Sequence, residues 1–411
     1  MIEQLFPTEK ARKRFLVGPV TPHFEGFADY LCVRGYAQFS IRNKLRLIAD
    51  LSQFLYRRKL SIAAIDEALI NRFLDRRRCR RFGRGSRATG KMLLRYLREC
   101  GEVAPLAEVV DHSPLTQLLQ QYQHFLTCER GLSQATLDNY VPMVKQFLSE
   151  RFGSADIELE TLNQQDVHRF ILHQARHFSR NRTKLIVTAL RSFLRFLFQR
   201  GDTTKDLTGA LLSVASWRMS HLPKSLSNAD IEHLLASCDR QTQIGQRDYA
   251  ILLLLARLGL RAGEVVAMTL DDINWQNGVF TVHGKCSKQE QLPLPADVGE
   301  AFLDYLRHAR PSCTSRSFFI RIHAPYQGFT SSVAVCDVVR RALSRAGLNP
   351  DCKGAHLLRH SLATRMVNSG ASLQEIGEIL RHCHPDTTRI YAKVNVDALR
   401  ALAPSWPGGV S

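Results

Sequence analysis

"HLLRHSLATRMVNSGASLQEIGEILRHCHPDTTRIYAKV", residues 356–394, carries four histidines ahead of a single tyrosine, Tyr391. Two of its arginines, Arg359 and Arg381, stand directly before histidines. His356 and Arg359 are spaced i, i+3, which puts them on one face of a helix. His382 precedes "PDTTRIY", and Tyr391 follows it by nine residues. Such a stretch is either a helical core with polar decoration or half of a site that handles a charged substrate. Other residues favour the second reading. "RLGLRAGEV" (257–265) places Arg261 just past an apolar helix, with Glu264 one turn further on. Lys285 follows 24 residues after Arg261, on or beside the turn of an expected hairpin.

Two arginines, a lysine, two histidines and a tyrosine make up this set, with no carboxylate pair and no glycine-rich phosphate loop. A phosphodiester attacked by a hydroxyl gains charge on its non-bridging oxygens. Two guanidinium groups clamp those oxygens with paired N–H donors, which lysine does less well. Each fixed donor aimed at developing charge can contribute about 3–4 kcal/mol. A phenol has a reference pKa of about 10, so it is protonated at neutral pH. It becomes a nucleophile when a neighbour accepts its proton and cations stabilise the phenolate. The leaving 5′-oxygen then needs a proton, which a lysine on a hairpin turn can deliver. Side chains take the place of metal ions in this logic, which accounts for the lack of an Asp/Glu cluster suited to Mg²⁺. The aryl phosphate keeps the energy of the broken bond, so a second hydroxyl can reverse the step without ATP. No cofactor is expected.

Composition points the same way. The chain has 411 residues, a length that suggests two to four domains. With 45% hydrophobic and 23% charged residues it can bury sizeable cores. Its formal charge of +18 implies a polyanionic partner, most often nucleic acid. The excess is uneven: residues 1–100 hold 22 Lys and Arg against 9 Asp and Glu, a surplus of +13. No run reaches the roughly 18 apolar residues of a membrane span. The start, "MIEQLFPTEKARKRF", has no secretory pattern. Ten cysteines without C-x-x-C pairs fit reduced thiols rather than a disulfide framework. "HCHPD" (382–386) lacks a second ligand pair at zinc-like spacing, so no metal site is expected.

Along the chain, hydrophobic periodicity predicts a mainly α protein with one small antiparallel β-sheet. Residues 1–20 read as an irregular basic leader and 21–102 as a basic helical domain. "RRRCRRFGRGSRATGK" (76–91) holds seven arginines and three glycines. Arg76, Arg77, Arg78, Arg80 and Arg81 there are candidate phosphate contacts. "VAPLAEVVDHS" (103–113) reads as a linker. A second helical block covers 112–201, and Arg34-Gly35 aligns with Arg130-Gly131 at an offset of 96, as in a duplicated module. Ile186, Leu190, Phe193 and Leu197 mark an apolar stripe that ends at Gly201. Arg180, Arg182 and Lys184 open that helix and could meet a phosphate through side chains and helix amides. Residues 202–221 form a linker. The segment 222–402 opens on a Ser227/Asp230 capping box, continues through a buried helix near 245–259, and changes to period two over 271–294. Residues 403–411 are a tail.

At these residues the chain resembles the tyrosine recombinase (phage integrase) family. "GLRAGEV" is similar to the family's first box, "HLLRH" to its His-x-x-Arg-His box and "LRHCHPDTTRIYAKV" to its His-to-Tyr box. "VHGKCSKQEQLPL" resembles its lysine hairpin, and the four occur in the family's order. The likeness spans roughly 112–402. It implies a core-binding helical domain over 112–201, a catalytic domain over 222–402, and a multi-domain clamp around duplex DNA.

By that resemblance, Arg261, Arg359, His356 and His382 would surround the scissile phosphate. Lys285 would be the general acid, with Lys288 the alternative, and Tyr391 would form a 3′-phosphotyrosine. Glu264 would be a supporting partner and His360 a structural helix residue. Arg381 departs from the family, which usually has glycine directly before this histidine. The tail resembles recombinases and transposases of bacterial mobile elements. A tetramer on two DNA sites, or assembly with co-encoded recombinases, is implied, in a bacterial cytoplasm at the nucleoid and with no membrane partner. Val396–Leu402 would be a short apolar helix docking on a neighbouring subunit or on its own domain. Two other outcomes stay open: type IB topoisomerase-like relaxation, and a non-catalytic DNA-binding accessory.

Overall fold

The structure, a computed structural model, describes residues 1–76, 85–105, 113–153, 157–212, 224–284, 289–382 and 384–393. It is mainly helical with one three-stranded antiparallel sheet, as the periodicity predicts. The chain divides into two compact units, Leu106–Ser220 and Met1–Pro105 with His221–Ser411.

In the larger unit, residues 1–20 differ from the expected irregular leader. Ile2–Leu5 and Glu9–Arg12 are short helices, and Leu5, Phe6, Phe15 and Val20 are buried. Charge hid this: the four apolar anchors are spread among lysines and arginines, so no periodicity announces them. They pack on a module of four helices: α1 (Phe24–Val33), α2 (Gln38–Arg57), α3 (Glu67–Arg76) and α4 (Gly85–Glu99). The smaller unit has α5 (Pro114–His124), α6 (Gln134–Phe152), α7 (Gln164–His177) and α8 (Arg180–Arg200).

These two modules bury matching positions. Ile41, Leu47, Ile48 and Leu51 are buried on α2, and Leu137, Met143, Val144 and Phe147 are their counterparts on α6 at the offset of 96. Shifted by one further residue, to an offset of 97, Ile70 and Phe73 on α3 match Val167 and Phe170 on α7, and Leu93 and Leu97 on α4 match Leu190 and Leu194 on α8. Gly35 and Gly131 both take positive φ after the first helix, where only glycine avoids a Cβ penalty. The stripe Ile186, Leu190, Phe193 and Leu197 is buried, and Gly201 ends α8 in the left-handed conformation.

The remainder of the larger unit carries the chemistry-bearing motifs. The Ser227/Asp230 capping box starts α9 (Asn228–Ala236). Thr242 caps α10 (Gln243–Leu258), whose Ala250–Ala256 stretch is buried on all sides. Short α11 (Ala262–Ala267) leads to the sheet β1 (Ile273–Asn274), β2 (Val279–His283) and β3 (Gln289–Pro293), in that order. Ile273 pairs with Phe280 and His283 with Gln289. Gly278 at φ +61° makes the β1–β2 turn. Phe280 and Val282 point into the core, which sets the register of the sheet. Helices α12 (Ala296–Asp304), α13 (Ser332–Arg345), α14 (Ala355–Asn368) and α15 (Leu373–Ile379) complete it. Leu362, Ala363, Val367, Ile376, Leu380 and Tyr391 form a small core of their own beneath α14 and α15.

Candidate active site

The site is built from helix ends. Gly259 stops α10 at φ +59°, and the chain turns at once so that Arg261 stands ahead of α11. Glu264, on the first turn of α11, folds back: its Oε2 accepts the Arg261 backbone N–H at 2.8 Å, and its Oε1 accepts Arg261 Nη1 at 2.6 Å. Its side chain is 4% exposed. Burial pushes this carboxyl up, but the Arg261 backbone N–H, the Arg381 charge and the Arg261 side chain outweigh burial and hold it below the usual carboxylate range. Losing one partner of a buried pair like this costs about 3–5 kcal/mol, because the other charge is left uncompensated.

The end of α15 forms a Schellman motif. Arg381 N–H donates to the Glu378 carbonyl and His382 N–H to the Gly377 carbonyl, both at 2.9 Å. Arg381 occupies the left-handed position at φ +54°, where a side chain costs on the order of 1 kcal/mol. The motif aims His382 inward. Its Nδ1 lies 2.7 Å from Thr388 Oγ1. Burial and the nearby Arg359, Arg261, His360 and Arg381 push its pKa down to about 4, so it is neutral at neutral pH.

Arg359, on α14, is 4% exposed. Its Nη1 donates to the Gly259 carbonyl at 2.5 Å and its Nη2 to the Leu380 carbonyl, so one guanidinium ties the C-termini of α10 and α15 to α14. Burial and the Arg261 and Arg381 charges lower its pKa to about 10. Tyr391 is 1% exposed. Its hydroxyl lies 2.7 Å from His360 Nδ1, and its ring is parallel to that of His382 with centroids 6.5 Å apart. Burial pushes the phenol up to about 12, with Arg359 pulling it down. Burial, His356 and Arg359 lower the pKa of His360, which favours a neutral ring. In the Nε2–H tautomer its Nδ1 can accept the phenolic proton.

The structure therefore brings Arg261, Glu264, Arg359, His360, His382 and Tyr391 together within one chain. His360, expected as a supporting residue of the helix, sits on the tyrosine hydroxyl. No spacing rule links two residues that lie 31 apart in sequence. His356 is exposed at the rim, its ring 6.4 Å from that of His360. Lys285 and Lys288 lie outside the described residues, as do Arg77, Arg78, Arg80, Arg81, Val396–Leu402 and the tail. Arg76 is exposed at the end of α3. Arg180 and Arg182 are exposed at the start of α8, Arg182 donating to Asn139 Oδ1 at 3.3 Å, and Lys184 is half-buried. The sequence reading assigned no role to Thr388 or to the Gly259 and Leu380 carbonyls; only folding brings those partners close.

A cleft of about 690 Å³ in the smaller unit is lined by Phe147, Glu150, Asp166, Phe170 and His173 and holds none of this cluster. Among the described residues, no group of three His, Cys, Asp or Glu side chains could hold a metal ion. No helix among them is long and apolar enough to cross a membrane.

Arg261 follows α10, Arg359 and His360 lie on α14, His382 follows α15, and the buried Tyr391 lies in the short 3-10 turn Arg389–Lys393. The comparisons with known proteins place such a chain among the integrase-like recombinases. The phage integrase family model matches residues 224–397, and the phage integrase N-terminal SAM-like domain matches 119–201. A Sinorhizobium fredii protein named integrase/recombinase y4rA is 45% identical over 393 residues, 95% of each chain. The tyrosine recombinase XerD of Listeria innocua is 30% identical over 68% of this chain and 95% of its own length. The fold is shared with the solved XerH site-specific recombinase bound to palindromic difH substrate, with a TM-score of 0.56 at 21% identity over 70% of this chain and 84% of that one. The chain belongs to the phage integrase family and is a tyrosine-type site-specific recombinase.

Proposed function

We propose that this recombinase cuts and rejoins duplex DNA through a covalent 3′-phosphotyrosine on Tyr391, with neither metal nor ATP. The observation that carries the reading is the Tyr391 hydroxyl, held by His360 in the field of Arg359 within the same chain. The Tyr391 oxygen bonds to phosphorus and the bond to the 5′-oxygen breaks. The phenolic proton passes to His360, and the 5′-oxygen leaves as a hydroxyl after taking a proton from Lys285. Arg261 and Arg359 bear the charge that develops on the non-bridging oxygens. An arriving phosphate raises the pKa of His382 and turns it into a donor. His356 closes the rim.

Attack by a 5′-hydroxyl from another duplex reverses the chemistry and exchanges the strands. Cutting both strands of two duplexes takes one tyrosine per strand, hence four copies of the chain. Exposed Arg76, Arg180 and Arg182, with Lys184, contribute phosphate contacts, so affinity falls with salt.

Nicked duplexes carrying the sequences that flank the gene test this reading. The native chain should give a protein–DNA adduct stable to denaturant, and Tyr391→Phe should give none. Binding without any adduct would replace the proposal by an accessory role. Relaxation of supercoils without site preference would replace it by a topoisomerase-like one.

A further inference from the structure

Arg381 is an unusual residue for its place. The left-handed position of a Schellman motif favours glycine, yet here it holds the longest cation available at φ +54°. Its side chain is only 6% exposed. Its Nη2 donates to Glu264 Oε2 at 3.0 Å, and its Nη1 to the Ile379 carbonyl at 3.2 Å. Its buried Nε has no hydrogen-bond partner and faces Glu290 Oε2 of β3 at 3.9 Å. Its own carbonyl accepts Arg261 Nη2 at 3.0 Å. Arg381 thus touches Arg261 twice, once through its backbone and once through the carboxylate that both arginines share.

The charges explain why this matters. A lone buried carboxylate 2.6 Å from Arg261 would neutralise that guanidinium and draw it away from a phosphate. With Arg381 on the other oxygen, two cations share the Glu264 carboxylate. Glu290, 46% exposed and 3.9 Å from Arg381 Nε, is screened by solvent and offsets Arg381 only in part, so positive charge remains beside Arg359. We infer that Arg381 is a positioning residue for strand cleavage: it takes part of the Glu264 charge, so that Arg261 keeps both its place and its pull on the substrate phosphate. This rests on the proposed phosphotyrosine chemistry. Arg381 need not touch the substrate.

The test is the rate of adduct formation on nicked duplexes carrying the sequences that flank the gene. Glycine suits the left-handed backbone, so Arg381→Gly keeps the turn. It should slow cleavage by about 10- to 100-fold, the scale set by small misplacements of a reacting group. Arg381→Lys should lie between Arg381→Gly and the native chain. The double variant Arg381→Gly with Glu264→Gln should cleave faster than Arg381→Gly alone, because no uncompensated carboxylate remains on Arg261. In Arg381→Gly, where Glu264 faces only Arg261 and, further off, Arg359, the carboxyl takes up a proton more readily, so the rate relative to the native chain should move upward as pH falls and Glu264 loses its charge. A purely structural role would produce neither the rescue nor that movement. Arg381→Gly cleaving within about twofold of the native chain, or a double variant no faster than the single one, overturns the inference. A native chain with no Tyr391-dependent adduct overturns the phosphotyrosine reading instead, so the two failures are distinct.

Discussion

Tyr391 is buried in a small apolar core, and burial keeps its phenol protonated. Reactivity must therefore come from what adjoins it: the His360 ring that can take the proton, and the Arg359 charge that favours the phenolate. His382 shows the same balance in the opposite sense, since burial and surrounding cations keep it uncharged. A stability consequence follows from its pKa, which is 6.5 for an ordinary histidine and about 4 here. As pH falls between those values, the unfolded chain takes up a proton that the folded chain refuses, so stability drops through that window. The lowered Glu264 carboxyl acts in the same direction at more acid pH. The urea midpoint should fall between about pH 7 and about pH 5, and His382→Asn should remove part of that slope.

At the scale of elements, helix termini assemble the site. The last turns of α10 and α15 leave carbonyls without helical partners, and Arg359 satisfies one from each. Gly259 is needed twice over. It holds a left-handed backbone, and a Cβ there would lie 2.8 Å from Leu380 and 2.9 Å from Leu362. Gly259→Ala should destabilise the fold by about 1–3 kcal/mol in urea unfolding. It should also lower the adduct yield, because the carbonyl that holds Arg359 moves. The sequence announces the helices themselves through apolar periodicity and caps such as Ser227 and Thr242. It does not announce which carbonyl of α10 meets which arginine of α14, 100 residues away.

For the whole molecule, the first twenty residues are part of a core. Phe15 is 4% exposed, and its ring centroid lies 4.7 Å from that of Phe6 and 5.0 Å from that of Phe24. Phe15→Ala should cost about 3–5 kcal/mol, measured as a loss of stability in chemical denaturation. A free leader would show no change. In the larger unit, Tyr326 N–H donates to the Arg34 carbonyl at 3.1 Å, and Gly35 leaves no room for a Cβ against the Tyr326 ring. The helical module at the start of the chain is thereby tied to the α9–α15 portion by a contact that neither segment signals alone.

The sequence by itself determined the mainly helical class with one small antiparallel sheet, and it supplied the motifs from which the candidate residues were read. These follow from local periodicity, turn residues and motifs whose order along the chain is meaningful. Only the tertiary structure decided that His360 meets Tyr391, that Arg381 shares Glu264 with Arg261, and that Leu5, Phe6, Phe15 and Val20 are buried. Each of these is a contact between segments far apart in the chain. The free energy of such contacts comes from burial and charge compensation that exist only once the segments have met.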